Sequence, residues 1–486
     1  MAIQTWENMS NLRITDNHDF VSLYYDKDSR YWHDPIDDVV KKDVMLISNE
    51  KIGELTSKTN PNLLVFPRDL HRYGDEISES CIISVRNDEE ISTGNIMGFV
   101  GVNDTQLDIK SRFAKADGED FFLHYMLQKV FSINLFDIKH STSRKPIFDF
   151  LLYIFPYFLK KALAQGLFKK YQRFEYNDAN IKGPFNVSRH IRENIPFKGT
   201  VAYSTREHSY DNDITQLIRH TIEYIKTKEL GVSILNNDKE TKEGVTQIIM
   251  ATQTYNLRER LQVINRNLRP IQHPYYSAYT ELQKLCLQIL RHESIKYGRD
   301  KDKVYGVLFD GAWLWEEYLN KVFEGHNLSI THAKNKTGEN GIQLYEGGKK
   351  CYYPDFYRQV KGDAEKSFVF DAKYKRLNKD KDKHIDEQLG SNVISICHDD
   401  LFQMITYMYV LPANHCALLY PLETEEHTSL TRVIKSEPRK LKGYEGVISG
   451  YGIRISTAKE MMEFWKEMKE TEHELSNQVI EDMQKQ

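Results

Sequence analysis

The chain has 486 residues, of which 40% are hydrophobic and 28% are charged, so it is long enough for two or three domains with separate cores. Its formal net charge of −4 excludes DNA binding through a strongly basic overall surface, so any DNA contact needs a local patch or a partner. The five cysteines form no C-x-x-C pair, which argues against a zinc ribbon, an iron–sulfur cluster or a disulfide framework and favours the cytoplasm.

Residues 1–113 are predicted to form a β-rich N-terminal module. The segments CIISVRN (81–87) and IMGFVGVNDTQLDIKSRF (96–113) place β-branched and aromatic residues between Gly, Asn and Asp turns. The N-terminal segment MAIQTWENMSNLRITDN lacks the apolar core of a signal peptide, so we expect no secretion signal.

Residues 114–298 are predicted to form a mainly helical middle region. Apolar residues recur with helical spacing in FFLHYMLQKVF and in PIFDFLLYIFPYFLKKAL. The second segment contains Asp149 and Pro156 and is shorter than a bilayer span requires, so we predict a buried pair of helices and no membrane contact. Glycines and alternating residues over 180–213 indicate one or two hairpins, and two amphipathic helices are predicted after them.

A charged segment, RDKDK (299–303), is predicted to begin a C-terminal α/β domain over residues 299–455. Two of its segments, GVLFDGAWLWEEYLNKVF and DDLFQMITYMYVL, have the pattern of helices. The segments around KKCYYPDFYRQV, KSFVFDAKYKRL and HCALLYPL have the pattern of strands. Residues 456–486 are predicted to form a charged helix and tail, and the whole chain is predicted to be an α+β multidomain protein.

Residues that can carry chemistry occur in the C-terminal domain in the order helix, strand, strand, helix. They are Glu316, then Pro354 and Asp355, then Asp371 and Lys373, and finally Gln403 and Tyr407. Because side chains alternate along a strand, Asp371 and Lys373 share one face, which we expect to point into a solvated cleft. Asp355 on the neighbouring strand can bring a second carboxylate to the same cleft. Gln403 and Tyr407 are four residues apart and share one helix face.

This set of residues suits phosphodiester hydrolysis. Mg²⁺ prefers oxygen ligands, usually one or two carboxylates with water and substrate phosphate, and it polarises the phosphodiester. A neighbouring lysine can position or deprotonate the attacking water, or stabilise charge on the phosphate. Each feature alone is more often structural, because D-x-K strings, P-D turns and helix glutamates are common; their order and placement together favour the site.

The segment resembles the PD-(D/E)xK nuclease superfamily and, more narrowly, the McrC-like nuclease subunits of McrBC-type and LlaJI-type restriction systems. The strings that carry the resemblance are GVLFDGAWLWEEYL, YYPDFYRQ, FVFDAKYKRL and DDLFQMITYMY. Upstream, GFVGVNDTQLDIKSRF followed by FFLHYMLQKVF is similar to the family's N-terminal half. One departure is Ser111, which precedes Arg112 where the family often has proline.

The resemblance implies roles for individual residues. Asp355 and Asp371 are expected to be ligands of Mg²⁺ and Lys373 to be the catalytic lysine. Glu316 is expected to be the helix glutamate near the metal, with Glu317 as the alternative. Gln403 and Tyr407 are expected to hold the site or DNA from the far side.

The segment that follows the catalytic lysine, KYKRLNKDKDK, is either a solvated loop or a contact for DNA phosphates. The residues expected to make such contacts are Lys375, Arg376 and Lys379. Asp399 and Asp400 are predicted to cap the helix that begins near Leu401.

The resemblance also implies the partners, double-stranded DNA and an AAA+ GTPase motor subunit of the McrB kind. In such systems the motor recognises modified DNA, often 5-methylcytosine, and the McrC-like subunit stimulates GTP hydrolysis and cuts. This sequence has no G-x-x-x-x-G-K-[ST] string of its own. We therefore expect residues 1–298 to serve the motor, with 114–298 as its binding region, and the remainder to cut DNA.

Two alternatives stay open. The chain could be a stand-alone PD-(D/E)xK nuclease of DNA repair or recombination, although it lacks the cluster cysteines of that superfamily's iron–sulfur branch. It could also be a non-catalytic activator of a motor protein, although the presence of Asp355, Asp371 and Lys373 argues against this.

Overall fold

The structure is a computed structural model, and it describes most of the chain. The described residues are 10–17, 21–22, 38–56, 63–67, 77–86, 90–103, 105–114, 120–131, 146–228, 231–236, 238–295, 304–326, 328–334, 338–360, 362–363, 366–375, 388–389, 394–395, 398–422, 431–442 and 446–484.

Helices and strands alternate along the chain in a mixed α/β arrangement. The helices are α1 (Asp38–Ile47), α2 (Ile52–Glu54), α3 (Phe121–Phe131), α4 (Pro146–Leu163), α5 (Val187–Asn194), α6 (Asp213–Lys226), α7 (Gly231–Leu235), α8 (Lys239–Ala251), α9 (Arg260–Arg266), α10 (Ser277–Ile295), α11 (Gly311–Gly325), α12 (His398–Val410) and α13 (Met461–Gln484). The strands of the first 300 residues are β1 (Ser10–Thr15), β2 (Val21–Ser22), β3 (Leu63–Phe66), β4 (Ile83–Arg86), β5 (Glu90–Thr93), β6 (Ile96–Val102), β7 (Thr105–Lys110), β8 (Lys170–Asp178) and β9 (Val201–Ser209). The later strands are β10 (Val304–Asp310), β11 (Thr331–His332), β12 (Ile342–Gln343), β13 (Cys351–Tyr352), β14 (Phe356–Arg358), β15 (Phe368–Ala372), β16 (Gln388–Leu389), β17 (Ile394–Ser395), β18 (His415–Leu422), β19 (Val433–Lys435), β20 (Arg439–Lys440) and β21 (Val447–Arg454).

The chain divides into two compact units. The first unit combines Met1–Ser132 with Lys301–Gln486, and the second is Ile133–Asp300. This division differs from the four predicted regions, because the N-terminal module and the C-terminal domain belong to one unit. The second unit corresponds to the predicted middle region without the helix α3.

The N-terminal sheet of the first unit has the strand order β1-β7-β6-β10-β3, so a strand from residue 304 onward lies inside it. β10 runs antiparallel to β6 and parallel to β3. The prediction of a helix from residue 306 was therefore wrong for its first five residues, and the helix α11 begins at Gly311. Asp310 ends the strand and accepts hydrogen bonds from the backbone N–H groups of Ala312 and Trp313, which caps the helix.

The second sheet of the first unit has the order β11-β14-β15-β18-β21-β19, with β20 also paired to β21. β15, β18 and β21 are parallel neighbours, and β14 runs antiparallel to β15. Both faces of a parallel core strand are covered, which explains the continuous apolar sequence of HCALLYPL, buried from Cys416 to Pro421. This sheet positions the candidate site.

An aromatic cluster joins α3, α11 and α13 within the first unit. The ring of Tyr125 packs against those of Tyr318 and Trp465, with centroids 6.0 and 5.2 Å apart. Glu472 is buried among them and accepts hydrogen bonds from the hydroxyls of Tyr125 (2.7 Å) and Tyr318 (3.1 Å). Its other oxygen accepts one from the Lys129 ammonium at 2.7 Å.

Replacing Glu472 by alanine is expected to lower the free energy of unfolding by about 3 kcal/mol, because two buried hydroxyls and a lysine lose their acceptor. Denaturant titration followed by circular dichroism measures this change. Glu470→Ala, on the same helix at an exposed ion pair with Arg432, is the control, and its expected change is under about 0.5 kcal/mol. Equal losses of unfolding free energy in the two proteins would contradict the role of Glu472 as a buried hydrogen-bond acceptor.

The second unit is built on long helices and one hairpin. α4 packs against α10, and α6 packs against α10 as well. The predicted pair of helices over 146–159 is a single helix, Pro146–Leu163, which contains Pro156 in its interior. The hairpin predicted over 180–213 is only partly present. Its second strand, β9, lies in that stretch, but β9 pairs antiparallel with β8, which precedes it, and the helix α5 lies between the two strands. Among the described residues, no helix is both long enough and apolar enough to cross a membrane.

Candidate active site

The strand β15 carries two of the predicted residues to the end of the parallel sheet. Asp371 is 2% exposed and its carboxylate lies 2.8 Å from the Lys373 ammonium. Phe370 and Tyr374, on the opposite face, are buried, as the alternation predicted. The sequence suggested a solvated cleft, whereas Asp371 is closed off from solvent, because the neighbouring strand β18 and the helix α12 pack on β15.

Asp355 lies just before β14 and reaches the same place from the neighbouring strand. Its Oδ2 accepts a hydrogen bond of 2.6 Å from the backbone N–H of Ala372, the residue between Asp371 and Lys373. The antiparallel pairing of Phe356 with Phe370 sets this register. The two predicted carboxylates are thus brought together at the end of β15.

Lys373 is held from three sides. Its ammonium lies 2.8 Å from Asp371, 3.2 Å from Asp400 and 2.9 Å from the Oε1 of Gln403. Its backbone N–H donates to the carbonyl of Leu419 at 2.8 Å, which extends the pairing with β18 one residue beyond the strand. Burial alone would lower the pKa of Lys373, but the charges of Asp371 and Asp400 outweigh it and raise the pKa, so the side chain is a cation at neutral pH.

The helix α12 supplies the far side of the site. The Nε2 of Gln403 donates to the hydroxyl of Tyr407 at 2.8 Å, and that hydroxyl donates to the carbonyl of Tyr353 at 3.3 Å. The predicted Q-x-x-x-Y pair therefore forms one hydrogen-bonded row that ends on Lys373. The row links α12 to the segment that leads into Asp355.

The two candidate glutamates on α11 have different neighbours. Glu316 accepts a hydrogen bond from the Nε2 of His332 at 2.7 Å and is close enough to Asp355 for its charge to raise the pKa of that carboxyl. Glu317 lies 3.6 Å from the Lys334 ammonium. Glu316 is therefore the glutamate on the side of Asp355.

The carboxyl groups of Asp355, Asp371 and Glu316 lie close together, and this affects the protonation of Asp355. The pKa of Asp355 is raised well above its usual range, first by burial and then by the charges of Glu316 and Asp371. Burial also raises the pKa of Asp371, against the opposing effect of Lys373. Burial lowers the pKa of His332 to about 4, so the imidazole is neutral and its Nε2–H is the donor to Glu316.

The sequence reasoning missed two residues of this site. Asp400 was predicted to be a helix cap, but its carboxylate contacts both Lys373 and Lys375 instead. The signal was its position three residues before Gln403, which puts both on one helix face. His332 gave no local signal, because its pairing with Glu316 depends on the placement of β11 beside α11.

The predicted DNA contacts are only partly described. The Lys375 side chain is 46% exposed and its ammonium lies 3.0 Å from Asp400, at the rim of the site. Arg376 and Lys379 lie outside the described residues.

The donor set at the end of β15 is of the kind that Mg²⁺ requires. Carboxylate oxygens of Asp355 and Asp371 are the ligand type that Mg²⁺ takes. Burial raises the pKa of Asp355 most, and the repulsion from Glu316 and Asp371 that raises it further is what a divalent cation would relieve. Among the described residues, no three His, Cys, Asp or Glu side chains are grouped as a complete metal cage. Mg²⁺ usually takes only one or two carboxylates and completes its shell with water and substrate, so the residues fit.

A sequence model described as "McrBC 5-methylcytosine restriction system component" matches residues 91–421, more than half of the chain. The chain belongs to the McrBC family. The predicted resemblance to components of McrBC-type restriction systems is thereby confirmed. No curated protein matches the sequence.

Two solved structures are similar to the McrBC-family chain. One is a "refined half-complex from tetradecameric assembly of Thermococcus gammatolerans McrB AAA+ hexamers with bound McrC"; the match has 16% identity, covers 96% of this chain and 100% of that chain, and has a TM-score of 0.50, which indicates a shared fold. The other, the cryo-EM structure of the Thermococcus gammatolerans McrBC complex, has 14% identity over 66% of this chain and 90% of that chain, with a TM-score of 0.33.

Proposed function

We propose that this McrBC-family chain is the nuclease subunit of a GTP-driven restriction complex that cuts double-stranded DNA containing 5-methylcytosine. One observation carries the proposal: Asp355, Asp371 and Lys373 meet at the end of β15, with Lys373 held in place by Asp400 and Gln403. This is the arrangement that the PD-(D/E)xK resemblance implies.

In the proposed reaction, Asp355 and Asp371 are the residues that would hold Mg²⁺, and Glu316 lies on the side of Asp355. When bound, Mg²⁺ supplies Lewis-acid polarisation of the scissile phosphate. Lys373 is charged, so its ammonium stabilises the negative charge that develops on the phosphate and orients the attacking water. Gln403 fixes the direction of that ammonium, and Lys375 at the rim binds a flanking phosphate.

The proposal is tested by cleavage of methylated and unmethylated plasmid with Mg²⁺ and GTP, with and without the AAA+ partner. Cutting of methylated plasmid only when the partner and both cofactors are present is the expected result. Partner-independent cutting would favour a stand-alone repair or recombination nuclease. Stimulated GTP hydrolysis without any cutting would favour a non-catalytic activator.

Within the site, Tyr407→Phe is expected to lower the cleavage rate about tenfold, because Gln403 loses the hydroxyl that fixes its amide beside Lys373. Single-turnover cleavage measures the rate. Tyr409→Phe, on the same helix at a ring that is 78% exposed, is the control and is expected to cut at the normal rate. An unchanged cleavage rate in Tyr407→Phe would mean that the Tyr407 hydroxyl has no role in cleavage.

Contact with the motor is proposed for the second unit, residues 133–300. An exposed apolar surface surrounds α5 and the segments that flank it. It consists of Ile181, Phe185, Val187, Ile191, Ile195 and Phe197. Exposed apolar patches of this kind are typical of protein interfaces. The complex of McrB AAA+ hexamers with bound McrC supports the choice of partner.

The double substitution Ile195→Glu with Phe197→Glu is expected to weaken binding of the AAA+ partner at least about tenfold, because two charges would be placed in an apolar interface. Biosensor titration with GTP present measures the affinity. Leu261→Glu, at a similarly exposed position on α9, is the control that should bind normally. Equal loss in both proteins would mean that this surface is not the specific contact.

A further inference from the structure

A buried arginine of the N-terminal sheet lies behind the candidate catalytic strand. Arg112 follows β7, is 7% exposed, and donates from Nε and Nη2 to one oxygen of Asp16 at 3.0 and 2.7 Å. The side chain of Asp16 is itself fully buried. Because a buried charge is costly unless it is paired, this ion pair fixes the guanidinium in one position.

The fixed guanidinium then holds Tyr374. Nη1 of Arg112 donates to the Tyr374 carbonyl at 3.3 Å, and the guanidinium lies over the Tyr374 ring with its carbon 4.7 Å from the centroid. The residues on either side of Arg112 contact the same tyrosine: the Ser111 hydroxyl lies 3.1 Å from its hydroxyl, and the Phe113 ring meets its ring edge-on at 5.4 Å.

Tyr374 is also wedged against the helix that carries Glu316. A Cβ added at Gly311, the first residue of α11, would lie only 2.8 Å from the Tyr374 ring. Arg112 is linked to the start of α11 through Asn95. The side chain of Asn95 accepts a hydrogen bond from Nη2 of Arg112 and donates one to the Asp310 carboxylate that caps the helix. One buried network therefore contacts both the end of β15 and the start of α11.

Because Tyr374 is next to Lys373 in the chain, its contact with Arg112 affects the catalytic lysine. Tyr374 follows Lys373 directly and points to the opposite face from Lys373 and Lys375, both of which contact Asp400. Pairing with β18 ends at the Lys373 N–H, so beyond it the backbone direction depends on side-chain anchors. When Tyr374 is held on one face of this segment, the side chains of Lys373 and Lys375 are therefore directed to the opposite face.

We propose that Arg112 and Tyr374 are positioning residues, through which the N-terminal sheet sets the geometry of Lys373 for catalysis. The proposal rests on the nuclease function proposed above. Neither residue touches substrate, so their loss should lower kcat and leave KM for DNA unchanged. A misplacement of about 1 Å at a catalytic group can lower the rate about 100-fold.

The test uses the full-length chain with its AAA+ partner. Arg112→Lys keeps the charge near Asp16 but cannot reach Asn95 and the Tyr374 carbonyl together, and Tyr374→Leu removes the ring. Both are expected to lower kcat at least about tenfold with KM within about twofold, and Tyr374→Phe, which keeps the ring, is expected to recover most of kcat. Thr105→Val is the control, since it removes a buried hydrogen bond from β7 of the same sheet to Asp43 on the helix α1.

A second readout is independent of cleavage. Acylation of Lys373 and Lys375 by an amine-reactive reagent, followed by mass spectrometry, is expected to be faster in Arg112→Lys and Tyr374→Leu than in Thr105→Val. If the wild-type chain does not cut DNA, the nuclease function fails, while faster acylation still supports the positioning role. A kcat and an acylation rate in Arg112→Lys equal to those of the control would overturn the positioning role.

Discussion

Replacing Asp371 by asparagine or Lys373 by alanine is expected to abolish DNA cleavage, with a loss of at least about 1,000-fold in rate. Asparagine keeps the shape of the buried side chain and can still accept a hydrogen bond from Lys373, but it removes the charge that a divalent cation needs. Alanine at position 373 removes the cation that is held between Asp371, Asp400 and Gln403. The measurement is single-turnover cleavage of methylated plasmid with Mg²⁺, GTP and the AAA+ partner.

Stability has to be measured beside activity, because the site is buried. Lys373→Ala leaves two carboxylates without their shared partner, so a loss of about 2 kcal/mol in unfolding free energy is expected, whereas Asp371→Asn should cost less. Both proteins should still stimulate GTP hydrolysis by the partner. Lys366→Ala, at an exposed ion pair just before β15, is the matched control and should cut normally. Wild-type cleavage by a folded Asp371→Asn protein would refute the assignment of the metal ligands.

The central part of this site was predictable because its signals are local. Alternation along FVFDAKYK separates Asp371 and Lys373 from Phe370 and Tyr374, and the spacing of Gln403 and Tyr407 puts both on one helix face. The residues missed by sequence reasoning act through tertiary contacts. Asp400 has the local features of a helix cap, but the nearby ammonium groups of Lys373 and Lys375 bind its carboxylate in the folded chain.

The domain boundary could not be predicted for a similar reason. VYGVLFD runs into GAWLWEEYL without a proline or a separating loop, so the whole segment has a helical pattern of apolar residues. Its first seven residues form β10 because β6 and β3, more than 200 residues earlier, offer hydrogen-bonding edges on both sides. Only the pairing partners, and no local propensity, decide between strand and helix here.

This arrangement changes what a truncated chain can do. The sequence predicted that residues 1–298 form a separable motor-binding half, but such a fragment lacks β10, the strand between β6 and β3. Val304, Val307 and Leu308 are buried in the first unit, and their removal leaves an apolar gap and two unpaired strand edges. The fragment 1–298 is therefore expected to aggregate or to show no cooperative unfolding of its N-terminal module.

The complementary chain is the control: residues 1–132 joined to 301–486 by a flexible linker of about 20 residues in place of the second unit. It keeps both sheets and the candidate site, so it is expected to be soluble, to unfold cooperatively and to have lost the exposed surface around α5 that is proposed to bind the motor. Circular dichroism during thermal unfolding and size-exclusion chromatography compare the two proteins. A monomeric, cooperatively folded 1–298 fragment would mean that the N-terminal sheet closes without β10, and the motor-binding and cutting parts would then be separable at residue 298 after all.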